Sequence, residues 1–204
     1  MIFKLILRAV ALASLCLIFI ALVVIRFAYA QADSSGVADI VNAAHVSKTT
    51  FYEHFAGKEQ VFIELHETCA RARLETLRRA QHQTAGVSCW RERIRQIVGS
   101  YLEAIAGRPA LILPMLAETS QGTQATRLAR QNAVVRCSDA IIAISRELTA
   151  GAPEVQPLSR PLATAAVTGL LELTCQAAKE GPAAVMELLD PATELWIRLA
   201  RASY

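Results

Sequence analysis

Within the stretch Lys48–Phe55, the side chains of Lys48, Thr49, Tyr52 and His54 gather hydroxyl and cationic donors on the open faces of one short helical segment. Donors of this kind suit phosphate oxygens and base edges in the major groove of a duplex. The same segment carries Phe51 and Phe55 at i and i+4, which fall together on the other side of a helix. The segment therefore reads as a donor surface backed by an aromatic anchor.

The neighbouring residues must hold that surface. Val37, Ile40, Val41 and Ala44 recur at helical spacing, so Val37–Ala44 is expected to be a short amphipathic helix. His45-Val46-Ser47 interrupts it. Ser47 is a suitable N-cap for the next helix, because its hydroxyl can accept a free backbone N–H. Ala56-Gly57 ends that helix, and Lys58 begins a longer one, expected to run to Gln81 with Val61, Phe62, Leu65, Leu74 and Leu77 inward. Two short helices joined by a tight turn form a helix-turn-helix. Asp33, Ser34 or Ser35 is expected to cap the first of them.

The stretch resembles the DNA-binding domain of the tetracycline-repressor (TetR) family of bacterial regulators. The family pattern is met by Val37, Ile40, Ala44, Val46, Ser47, Thr50, Phe51, Tyr52, His54, Phe55, Lys58 and Phe62. One departure is His45, where the family has Gly; such a turn position often needs φ > 0, where Gly is free and His is tolerated. The resemblance implies that Ser47 caps a recognition helix, with Thr49 and Thr50 toward base edges or phosphate and Lys48 toward phosphate. It implies that Tyr52, His54 and Lys58 touch the DNA backbone. It also implies a homodimeric, cytoplasmic regulator, a repressor released from operator DNA when a small apolar effector binds.

Composition agrees with helices. The chain has 204 residues, 53% hydrophobic but only 6% aromatic, so its core is built from Ala, Leu, Ile and Val, as in an all-α protein. The net charge of +3 permits a polyanion partner without arguing for one. The five cysteines are dispersed and odd in number, which suits a reducing compartment better than a disulfide framework. No hydrolase, metalloprotease, P-loop or dinucleotide motif occurs, so neither an enzyme nor a cofactor is indicated. His66, Glu67 and Cys69 do not have a metal-ligand spacing and read as an exposed helix surface. Arg71, Arg73, Arg78 and Arg79 read as a solvated face of the long helix, or as a contribution to a positive field near DNA.

The expected organisation is a head over residues 31–82, a polar break at Gln83–Ser88, and a helical effector-binding and dimerisation domain over 89–204. Trp90, Ile94, Ile97, Val98, Tyr101, Leu102 and Ile105 form a helical stripe stopped by Gly107-Arg108-Pro109. Ala110–Thr119 reads as a short apolar helix broken or kinked by Pro114. Thr123–Leu148 and Arg160–Lys179 are long helices, followed by Ala183–Leu189 and a last helix opened by Asp190-Pro191. Candidate pocket residues are Trp90, Tyr101, Ile105, Ile112, Met115, Leu116, Ile141 and Leu171. The small residues of the penultimate long helix suit close helix approach, as in the four-helix dimer bundle the resemblance implies. Candidate seam residues are Ala163, Ala166, Gly169, Leu170, Leu173 and Trp196.

Met1–Ala30 is almost wholly apolar between Arg8 and Arg26. It reads as a signal peptide with an A-x-A site, as a short membrane anchor, as the family's first head helix ending at Phe27, or as a misassigned start. The anchored or exported readings carry the rival function, a helical protein whose motif no longer meets DNA. The dozen fixed positions of the motif favour the cytoplasmic regulator.

Overall fold

The computed structural model describes residues 36–108, 123–152 and 154–201, and all regular structure among them is helical. The expectations for Met1–Ala30, for Asp33, Ser34 and Ser35, and for Ala110–Thr119 lie outside these residues. Among the described residues, no helix is long and apolar enough to cross a membrane.

Helices α1 (Val37–Ala44) and α2 (Lys48–His54) have the expected bounds to within one residue. The N-cap of α1 is Gly36, and the Asp39 carboxylate accepts its N–H at 2.8 Å. That places a negative charge in the first turn, where the helix dipole favours it. At the other end, the Val46 N–H donates to the Val41 carbonyl at 3.0 Å and the His45 N–H to Asn42 at 3.2 Å. This is a Schellman closure, and His45 takes its left-handed position at φ 54°. Ser47 caps α2 through the Thr50 N–H at 3.0 Å.

Ile40, Val41, Ala44, Phe51, Phe55 and Val61 close into one small core, with Phe51 fully buried. Burying that ring alone stabilises the head by about 1.5–3 kcal/mol. Val61 belongs to α3 (Lys58–Gln83), which runs two residues further than expected. The C-terminal half of α3 enters a second, larger core with Leu74, Leu77 and Ala80. One helix therefore serves both cores.

The larger core is completed by α4 (Trp90–Gly107), α5 (Gln124–Gly151), α6 (Arg160–Glu180), α7 (Pro182–Glu187) and α8 (Leu189–Arg201). Helix α3 packs on α4 and α5, α5 on α6, and α4 on α7 and α8. All seven residues of the expected α4 stripe are buried. Gly181, at φ 125°, separates α6 from α7 in a conformation that side chains rarely adopt.

Some surface assignments change. Arg73, His66 and Cys69 are buried in the interior of α3 rather than exposed. Cys69 and Arg73 fall on the Leu65–Leu77 row, repeated every four residues, and His66 on the adjoining row with Ala70 and Leu74. Phe62 is only half-buried, and Leu128 and Val135 of α5 face outward.

Candidate DNA-reading head and effector cavity

The N-terminal end of α2 is built by its cap. The Ser47 and Thr50 hydroxyls are 2.9 Å apart, and Thr50 is half-buried. The Thr50 side chain therefore completes the cap, while Lys48, Thr49, Tyr52 and His54 remain exposed on the helix. Tyr52 is 57% exposed, a large aromatic left in water, with its ring edge against Phe51 at 5.2 Å between centroids. Phe51 and Phe55 lie 5.5 Å apart beneath the helix and hold it on the small core. Lys58 opens α3 with its ammonium 5.8 Å from the centre of the Phe62 ring. The arrangement presents hydroxyl and cationic groups from a rigid, buried footing, as duplex recognition requires.

A second site lies in the larger core. A cavity of about 80 Å³ opens between α3, α4, α5, α6 and α8, with walls almost wholly of carbon. Of the candidate pocket residues, Tyr101, Ile141 and Leu171 line it. Trp90 and Ile105 are buried in the same core but off the cavity wall. The Trp90 indole N–H instead donates to Glu154 at 2.6 Å, pinning the start of α4 to the α5–α6 connection. A backbone hydrogen bond within Glu154 and this indole contact lower the carboxyl's pKa. Ile112, Met115 and Leu116 lie outside the described residues.

The cavity also takes residues assigned elsewhere in the sequence. Leu170 and Trp196 line it, and Ala163 and Ala166 are buried with them in the same chain's core. Of the six candidate seam residues, only Gly169 and Leu173 are exposed. Arg73 was missed as a lining residue, although its position four residues from both Cys69 and Leu77 was legible. Cys137 and Ser145 were missed too, and their burial follows only from how α5 packs.

The polar groups here are held in particular states. Burial pushes the Tyr101 phenol up to about 12, against the lowering influence of Arg73 and a Thr174 hydrogen bond. Burial likewise raises the Cys69 and Cys175 thiols to about 11, with Arg73 opposing it in each case. Thiols so raised are poor nucleophiles. The Ser145 hydroxyl donates to the Ile142 carbonyl at 2.8 Å and accepts the Leu158 N–H at 3.1 Å. Among the described residues, no group of three or more His, Cys, Asp or Glu could hold a metal ion.

Comparison with known proteins gives three findings. Residues 32–65 match the sequence model of the bacterial regulatory proteins of the tetR family. A search of curated proteins found no match. Among solved structures, the fold is similar to the fatty acid degradation regulator FadR from Bacillus halodurans (TM-score 0.73, 18% identity, covering 91% of this chain and 96% of that one). It is similar to the transcriptional regulator FadR from Bacillus subtilis in complex with stearoyl-CoA (TM-score 0.70, 17% identity, 92% and 99% covered). It is also similar to the regulatory protein TetR from Rhodobacter sphaeroides (TM-score 0.67, 20% identity, 87% and 96% covered). At these identities the likeness is one of fold.

Proposed function

We propose that this chain, a TetR-family DNA-binding transcriptional regulator, works as a homodimeric repressor that leaves its operator when a small apolar molecule fills the cavity. It acts by binding rather than by catalysis, in the cytoplasm where the chromosome lies. The observation that carries the reading is the exposed donor row of α2, standing on the buried Phe51–Phe55 anchor. Lys48, Thr49, Tyr52 and His54, with Lys58 at the start of α3, form the DNA surface, and Thr50 supports it through the cap.

The effector part rests on the carbon-walled cavity. One structural relative was captured with stearoyl-CoA, so this fold can take a ligand with a long apolar chain. The dimer part rests on α6. Gly169 sits mid-helix, where Gly costs about 1 kcal/mol relative to Ala. Among the described residues, a Cβ built there meets nothing within 4 Å beyond its own helix, so its smallness serves no packing among them. Beside it Leu173 is 47% exposed. A second copy of α6 is the partner that would use this room.

The test is selection of binding sequences from random duplex by the purified protein, followed by mobility shift. The expected product is a palindromic site, its half-sites related by the dimer's two-fold axis. No enrichment of any sequence would sink the regulator reading.

A further inference from the structure

The outward face of α2 carries a residue that the DNA surface described above does not use. Phe51 and Phe55 hold this helix on the small core. At about 100° per residue, Glu53 stands about 180° and Thr49 about 140° from the line midway between the two rings. Tyr52 and His54 stand about 80° to either side of that line. All four are exposed. A helix laid in a groove on this footing turns Tyr52 and His54 toward the two phosphate walls. It turns Glu53, with Thr49 one turn behind it, toward the floor where the base edges lie.

For the stability of the head this is a poor place for a carboxylate. Glu53 sits in the last turn of α2, at the negative end of the helix dipole. Its neighbours three and four residues away are Thr49, Thr50, Ala56 and Gly57, none of them a cation. Among the described residues, its carboxylate has no hydrogen bond or ion pair.

We propose that Glu53 reads a base: its carboxylate accepts a hydrogen bond from the N4 amine of a cytosine and so fixes cytosine at one position of each half-site. This rests on the DNA-binding reading above. An ionised carboxylate is an acceptor only. In the major groove guanine presents two acceptors and thymine one, so Glu53 meets either without a bond. Adenine has an amine but an acceptor N7 beside it, whereas cytosine presents its amine alone. The discrimination is largely exclusion, because an unpaired carboxylate on the groove floor only adds to the repulsion from the phosphates. Thr49 and Glu53 lie about 6 Å apart along the helix, against about 3.4 Å per base-pair step. The cytosine therefore falls one or two steps from the base that lies against Thr49.

The test compares the full-length wild type, Glu53→Ala and Glu53→Gln by selection from random duplex. Mobility shift follows, on the wild-type site and on duplexes changed at one position. The replaced side chain is on the surface, and circular dichroism should show an unchanged fold. Wild type should select cytosine at one position per half-site and lose about five- to tenfold in affinity when that base is changed. Glu53→Ala should lose the preference at that position alone and bind the changed duplexes at least as tightly as wild type binds them. Glu53→Gln should turn the preference to adenine, whose N6 and N7 match an amide. The proposal is overturned if Glu53→Ala selects the same cytosine, or if it weakens binding to all duplexes alike, the mark of a backbone contact. In both cases the wild type still selects a site, and the regulator reading stands. Failure of the wild type to select any sequence sinks both.

Discussion

The Thr123 hydroxyl donates to the Glu59 carboxylate and so ties the start of α5 to the first turn of α3, beside Lys58. Helix α5 also lines the cavity through Cys137, Ile141, Ile144, Ser145 and Leu148. A single helix thus touches both the cavity and the head. A second tie, Arg136 to Glu67 at 2.8 Å, runs between the same two helices. Thr123 also caps α5 through the Thr126 N–H at 3.2 Å. Thr123→Ala should cost about 1 kcal/mol for the lost cap. With Glu59→Ala in a double-mutant cycle it should show a coupling of about 0.5 kcal/mol or more. Urea denaturation measures all four variants, and strict additivity would mean the two residues are not linked.

Contacts to phosphate position a protein without reading sequence. Lys58→Ala and Tyr52→Ala should therefore weaken operator binding while leaving the preferred sequence unchanged. Lys58→Ala should also reduce the slope of log affinity against log salt by about 0.9. Unchanged affinity in both variants would remove these residues from the interface.

The burial pattern separates two kinds of substitution on α6. Ala166→Glu puts a charge into the chain's own core, at a cost of several kcal/mol, and should unfold the protein. Gly169→Leu meets open space among the described residues and replaces a poor helix former with a good one. It should give a folded monomer with weak operator binding. Sedimentation of Gly169→Leu as a normal dimer would move the seam elsewhere.

His45 occupies a left-handed position that costs a residue with a Cβ on the order of 1 kcal/mol. His45→Gly should stabilise the protein by about 0.5–1 kcal/mol, since relief of strain outweighs the added freedom of the unfolded chain. Thermal melts compare the two, and a lower melting temperature would show that the imidazole makes a contribution of its own.

Alkali should destabilise the fold by a route set in the core. The Cys69 and Cys175 thiols ionise near 11 when folded against 9.0 in the reference state, and Tyr101 near 12 against 10.0. Above about pH 9 the folded protein therefore holds more protons than the unfolded one, and its stability falls as pH rises. The decline should begin near 9 and continue to about 12. Cys69→Ala with Cys175→Ala should flatten the first part of it. A urea midpoint flat from pH 8 to pH 11 in the parent would contradict this.

The head was legible because its signals are local. Ser47 three residues before Thr50, the Phe51–Phe55 pair and the interrupted Val37–Ala44 stripe each act within a turn or two of helix. Even the left-handed turn at His45 could be placed. The Trp90–Ile105 stripe was legible because its apolar period has no gaps. The cavity was less so. Arg73 occupies an apolar register position, but a cluster of arginines on one helix suggests solvent unless the packing of α5 and α6 is known. Ala163 and Ala166 are small for the same reason whether the neighbouring helix belongs to their own chain or to another. Only the fold separates them from Gly169.

Helix α3 has 26 residues and is anchored in both cores. From Arg73 to Lys58 it is a continuous rod of about 22 Å at 1.5 Å per residue. Such a rod acts as a lever arm: a tilt of about 5° at the cavity end carries the Lys58 end through about 2 Å. That is more than the distance tolerance of a hydrogen bond to a phosphate, about 0.5 Å. A displacement too small to open the core would thus be enough to take the head out of register with a groove.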